Sequence, residues 1–417
     1  MTEPISYSGT WQIADARGSY TRHFSGTLTY FGDRPSTLEV INEPHSGSIA
    51  TFAHYDVIWG EDALGIKYSL FDATLMRDSI FSKITFLVRY ILIGKQIQSI
   101  DEPCFDCCWV KYKYLNRWAL DNRFDIVAQG DHTTCISLDL GSRPAFLSVE
   151  VEQGLRLMLW GHLSDSINRF EITATQATNL NIDTRENAPL STYLKTICEF
   201  SQFLSVALCA EQHPVEVCFA NKGVRINYPL LFDRQTSTEP WILSFIKFDE
   251  LREKMPSILK QWHSNYEQLA PISQYFIRSL KTESTIDAPE FLIVAQALDG
   301  YFKRFVNNRG GKNTTKYQRQ IEILLNEFKG VDIIQACNLD ADVLTQTRHK
   351  YSHLIPDEDK KITKAAEGEE LLWLTKKCIV LLACCILDML GLTTDEINLC
   401  CNKSSIEQIV NSIPLRF

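Results

Sequence analysis

No apolar run in this sequence is long enough to cross a bilayer. The longest, Cys378 to Leu387, is about half a membrane span, and Lys376, Lys377 and Asp388 flank it. That pattern predicts a buried helix and no membrane partner. The opening, Met1 to Thr10, has neither a basic start nor an apolar stretch, so no secretory leader is expected and the predicted compartment is the cytoplasm. Basic charge is also short: 42 Lys and Arg stand against 51 Asp and Glu, a net of -9. Such a balance excludes a constitutive nucleic-acid coat protein. There is no G-x-G-x-x-G, no Walker loop and no G-x-S-x-G, which leaves nucleotide-fold and serine-hydrolase readings without residues.

Paired metal knuckles are missing as well. Cys104, Cys107 and Cys108 crowd one segment, but structural zinc needs four ligands, usually as two pairs. Only Cys400-Cys401 offers a second pair, at no supporting spacing. The histidines at 23, 45, 54, 132, 162, 213 and 263 form no H-E-x-x-H pattern. We therefore expect no metal and no cofactor. The thirteen cysteines, an odd number, suit free buried thiols in a reducing compartment.

What is present divides the chain in two. The first 249 residues carry a net of -8 and the remainder a net of -1, so only the second half suits a polyanion. From Tyr7 to about Val151, short alternating runs are punctuated by Gly, Asp, Asn and Pro. They predict a sandwich or a curved antiparallel sheet. A helix follows over Pro189–Glu211, then a strand over Val215–Ala220 and a loop from Asn221 to Pro240. From Leu243 the pattern is helical: Asp249–Tyr266, a second helix opened by Pro271, one begun by Asp287-Ala288-Pro289-Glu290, then Thr315–Phe328, Asp340–Leu354, Glu367–Leu390 and Thr394–Ile413. The expected class is α+β, a β-rich, sandwich-like domain over residues 1–242 followed by an all-α bundle over residues 243–417.

One stretch carries candidate chemistry. In TQTRHKYSHLIPDED, Thr345 to Asp359, Arg348 and His353 stand five positions apart ahead of Pro356. An imidazole moves protons near neutrality, and a guanidinium offers a permanently charged fork to phosphate oxygens. Five helical steps are about 500°, so the two side chains start roughly 140° apart. They converge only if the arginine folds round or the helix deforms near Pro356. A basic cluster precedes them: Lys303, Arg304, Arg309, Lys312, Lys316 and Arg319, with no acid from Gly300 to Ile321. It suits a phosphate backbone; the plain alternative is a solvated turn. For the motif, the plain alternative is two cations near a helix C-terminus, where the dipole favours them.

ALDGYFKRF near the start of the bundle and RHKYSH late in it resemble the ApeA-like branch of HEPN domains (higher eukaryote and prokaryote nucleotide-binding). SGTWQI, FSGTLTYF, LEVINEP, YILIGKQIQS, DEPCFD and WVKYKYLNRW resemble that family's amino-terminal domain, so the resemblance spans nearly the whole chain and is weakest over Asp121–Thr184. It implies an all-α HEPN bundle and a metal-independent endoribonuclease of antiphage defence, in which RNA damage halts infection. Arg348 and His353 match the family signature; His349 takes a polar place that is often asparagine, and Asp299 one often held by glutamate. The partners implied are RNA, a second copy or higher homo-oligomer through the HEPN domain, and a phage-derived trigger. Tyr351 would stack a base, while Lys303, Arg304, Arg309, Lys312 and Lys316 would hold the backbone. The competing expectation is a non-catalytic HEPN module that binds RNA or protein.

Overall fold

Six strands at the start of the chain curl into a closed antiparallel barrel. The structure, a computed structural model, describes residues 3–14, 21–41, 54–78, 83–120, 124–129, 133–138, 144–167, 172–222, 224–233, 235–240, 243–281, 288–307, 316–356 and 362–414. The chain divides into two units: Met1–Cys198 with His213–Ser237, and Glu199–Gln212 with Thr238–Phe417.

In the first unit the barrel strands are β1 (Ile5–Ala14), β2 (Thr21–Tyr30), β3 (Ser36–Ile41), β4 (His54–Asp62), β5 (Lys67–Asp78) and β6 (Lys83–Ile93). They pair in the order β6-β3-β2-β1-β4-β5, and β5 returns to β6 to close the ring. Alternation drives this: in β3, Ser36, Leu38 and Val40 are buried while their neighbours are not. Trp11, Leu28, Leu38, Ile58, Tyr68, Leu70 and Phe86 fill the interior. Gly60 lies opposite Trp11 across the β1–β4 pair, where a Cβ would sit 2.2 Å from the indole. Only glycine leaves room for that ring.

The sheet runs on beyond β6. The remaining elements are β7 (Pro103–Tyr112), α1 (Leu115–Trp118), β8 (Phe124–Gln129), β9 (Thr133–Leu138), β10 (Leu147–Glu152), β11 (Leu155–Ile167), β12 (Ile172–Pro189), α2 (Leu190–Leu208), β13 (Pro214–Asn221) and β14 (Val224–Phe232). From β6 the order is β14-β13-β7-β12-β11-β10, giving twelve strands, with β8–β9 a separate hairpin. The curved antiparallel sheet is thus present, with barrel closure that alternation alone did not announce. One expectation is corrected here. The segment after Asn221 is not all loop, since β14 hairpins with β13. Pro229 lies within β14 just outside the three pairs that join it to β6, so its missing N–H costs that ladder nothing.

The second unit takes the Glu199–Leu208 part of α2, then α3 (Met255–Leu280), α4 (Ala288–Tyr301), a π-helical turn (Phe302–Val306), α5 (Tyr317–Glu327), α6 (Asp332–Cys337), α7 (Ala341–His353), α8 (Gly368–Met389), α9 (Thr394–Cys401) and α10 (Ser405–Asn411). Every residue of Cys378–Leu387 is buried within α8, the central helix. No helix among the described residues is long and apolar enough to cross a membrane. Pro271 does not open a second helix, as expected, but lies inside α3. An interior proline costs about 3 kcal/mol. The apolar stripe Ile258, Leu259, Trp262 continues in phase as Leu269, Ile272, Phe276 and Ile277, and that burial outweighs the break. Asp249–Lys254 form turns rather than the first helical residues. The last predicted helix is two, because Lys403 turns left-handed (φ +48°) and the Ser404 hydroxyl caps α10.

Candidate active site

Helix α7 is fixed along most of its length before the candidate residues begin. The Asp340 carboxylate caps it, accepting from the Asp342 and Val343 N–H groups. The strand-like stretch before α8 ties down its buried side. The Gln346 side-chain oxygen accepts from the Thr363 and Lys364 N–H groups, both at 3.0 Å. The Ala366 N–H donates to the Thr347 hydroxyl at 2.9 Å, and buried Lys350 pairs with Glu367. Tyr351 belongs to this anchorage. Its ring meets Phe291 edge-on, and its hydroxyl donates to the Ala366 carbonyl at 3.3 Å.

Arg348 turns toward the bundle. Its guanidinium lies over the ring of Tyr317 at 4.4 Å and 3.6 Å from a carboxylate oxygen of Asp299. The same Asp299 oxygen accepts from Lys303 at 2.8 Å. The Asp299 side chain is only 14% exposed and that of Arg348 34%. Two cations on one sheltered carboxylate hold a charged cluster at the junction of α4, α5 and α7. Tyr317 is buried, and its hydroxyl donates to the Ala295 carbonyl at 3.0 Å. Burial pushes its phenol well above the usual range, although Arg348 pulls the other way. The phenol therefore stays neutral, a flat platform under the guanidinium.

The histidines stand in solvent. His349 and His353 are exposed, and their rings meet edge-to-face with centroids 4.8 Å apart. Four helical steps are about 400°, which brings the two rings within about 40° around the axis. Five helical steps start Arg348 and His353 about 140° apart. No hydrogen bond, ion pair or ring contact joins them among the described residues. The helix does not deform ahead of Pro356: α7 stays α-helical through His353. It ends in a left-handed turn at Leu354 (φ +50°, 86% exposed), with the Ile355 N–H donating to the Lys350 carbonyl at 3.0 Å. That is a Schellman-type stop with leucine where glycine is usual.

Much of the basic cluster is already engaged. Arg304 donates to the Gln268 carbonyl at 2.7 Å, Lys303 to Asp299, and Arg319 pairs with Glu322 at 2.9 Å. Lys316 is exposed at the N-cap of α5, and Arg309 and Lys312 lie outside the described residues. Lys303 and Arg304 sit on the π-helical turn, a feature that recurs at functional sites. Neither that turn nor Tyr317 was foreseen, and no local pattern marks either. The cysteine segment is on β7, in the other unit. Its thiols are free, and burial pushes Cys104 up to about 11 and Cys107 up to about 12. No group of three or more potential metal ligands occurs among the described residues.

Chemically, the last two turns of α7 offer a braced guanidinium and two solvent-facing imidazoles. A family model for ApeA N-terminal domain 1 matches residues 6–262, and one for Apea-like HEPN matches residues 292–396. The chain belongs to the ApeA-like HEPN family. The HEPN match takes in Asp299, Lys303, Tyr317, Arg348, His349, Tyr351 and His353. The ApeA N-terminal match covers the whole barrel from Ser6 and runs into α3. No curated protein and no solved structure matches this ApeA-like HEPN chain.

Proposed function

We propose that the HEPN unit is a metal-independent endoribonuclease and that the chain works in the cytoplasm in antiphage defence, cutting host or phage RNA to abort infection. The observation that carries this reading is that the last two turns of α7 bear both a braced Arg348 and the exposed ring pair His349–His353, inside the segment that the HEPN model matches. In the proposed step the ribose 2′-OH attacks its own 3′ phosphorus, a P–O2′ bond forms and the P–O5′ bond breaks. A 2′,3′-cyclic phosphate and a 5′-OH result. His353 accepts the 2′-OH proton, a contribution of about 10²–10⁴ in rate. Arg348 stabilises the dianionic pentacovalent state, with Asp299 and the Tyr317 ring keeping its fork in place. The leaving O5′ needs a proton from the opposite side of phosphorus. Two rings side by side on one helix do not span the scissile phosphate, so a second copy facing the first is the natural source. His349 then supports the His353 ring and contacts phosphate, and Lys303, Arg304, Arg309, Lys312 and Lys316 hold the RNA backbone. The ApeA N-terminal unit is proposed to restrain the nuclease until it meets a phage-derived trigger.

The test uses purified full-length protein with RNA in chelator, comparing wild type with His353→Ala and Arg348→Ala. Wild-type cleavage leaving cyclic-phosphate ends, lost in both variants, is the expected result. RNA binding that is equal in all three, with no new ends in any, would assign the chain to the non-catalytic module instead.

A further inference from the structure

Three cations converge at one end of the β unit from three separate turns. Arg156 opens β11, Arg185 stands in the irregular stretch of β12 between Asp183 and Ala188, and Lys222 lies in the β13–β14 turn. Together with Glu150, Asp183 and Thr184 they line a cleft of about 200 Å³. The register explains the meeting: Arg156 is opposite Glu150 on one side and Asp183 on the other. The Arg185 backbone N–H donates to the Gly154 carbonyl at 2.9 Å, which draws the β12 stretch against the β10–β11 turn. The Lys222 N–H donates to Asp106 at 2.7 Å, and its ammonium donates to the Thr184 carbonyl at 3.2 Å.

The carboxylates in this cleft are occupied and the guanidiniums are not. Glu150 accepts from the Gly154 N–H at 2.9 Å, and Asp183 is 3.3 Å from the Lys222 ammonium. Neither guanidinium has an ion pair or side-chain hydrogen bond among the described residues. This happens in the half of the chain whose net charge is -8, where acidic neighbours are plentiful. Two unneutralised planar forks beside a lysine match phosphate oxygens, which take both forks at once. The volume lies below the roughly 300–1,000 Å³ of drug-sized ligand sites, which suits a compact anion or the phosphate end of a larger molecule.

We propose that this cleft binds a small phosphorylated ligand, with Arg156 and Arg185 gripping its phosphate oxygens and Lys222 supplying the third positive charge. The site belongs to the β unit and stands apart from the nuclease reading. Its test is titration calorimetry on the full-length protein with inorganic pyrophosphate, ADP and adenosine, alongside Arg156→Gln/Arg185→Gln and, separately, Lys222→Gln. Both arginines are exposed, so the double variant should melt as the wild type does. Pyrophosphate and ADP should bind and adenosine should not, with affinity falling roughly tenfold or more in the double variant. Binding by pyrophosphate but not ADP would also support the site, as one for free phosphates. Absence of heat with both phosphorylated probes, or equal affinity in the double variant, would overturn it. So would binding of a 5′-phosphorylated RNA without pyrophosphate binding.

Discussion

Both units gather cations, and they treat them in opposite ways. Beside α7, Arg348 and Lys303 share the Asp299 carboxylate, Arg319 has Glu322 and Arg304 has a carbonyl. At the end of the β unit, Arg156 and Arg185 face the solvent beside carboxylates that are already engaged. A neutralised cation is held in one position and is suited to stabilising a charge that appears late, in a transition state. An open cation is suited to catching an anion that arrives whole. The difference separates positioning from capture, and it can be broken by experiment.

The largest effect should come from the chemistry itself. Arg348→Ala or His353→Ala should lower RNA cleavage by about 10²–10⁴ with little change in melting temperature, since neither side chain is deeply buried. Gel assays of end-labelled RNA read this directly, and an unchanged rate would remove α7 from the mechanism. Asp299→Asn sharpens the contrast by converting held cations into open ones. RNA should bind more tightly while the single-turnover rate falls about tenfold, so affinity and rate move in opposite senses. A parallel loss of both would make Asp299 a simple folding residue.

Two smaller effects concern stability. Burial raises the Glu396 carboxyl, but Lys254 at 2.6 Å and the Thr393 N–H and hydroxyl outweigh that and hold it below its ordinary value near 4.5. Because the folded value is depressed, the stabilisation is present above the unfolded value and is lost as pH falls through the folded one. Glu396→Gln should therefore cost up to about 1 kcal/mol at neutral pH, from the lost carboxylate charge beside Lys254 and the capping donors, and converge with wild type in acid. Urea titrations across that range check the sign. Leu354→Gly relieves a left-handed leucine and should add up to about 1 kcal/mol with cleavage unchanged.

Local patterns in the sequence carried the strands and helices well, because alternation and the 3.6 period are themselves local. Ser36–Ile41 and the buried Cys378–Leu387 are visible in this way. Barrel closure was not legible, since it depends on β5 meeting β6 in register while β6 also pairs with β3. Pro271 misled because it breaks a local rule that burial on both sides of it outweighs. At the site, the R-x4-H spacing named Arg348 and His353 but could not say which partners each would meet. The cluster of Asp299, Tyr317 and Arg348 joins residues far apart in the chain, and only packing brings such residues together. The closeness of His349 to His353, by contrast, is simple i, i+4 geometry and was open to anyone counting turns.

The closed ring has a consequence for how the chain survives at high concentration. Among the described residues, β10 alone of the twelve strands of the large sheet has a single neighbouring strand. That edge strand is six residues long, turns Ser148, Glu150 and Glu152 outward, and is interrupted by a register shift between the two glutamates. Short, charged and irregular, it is a poor template for a foreign strand.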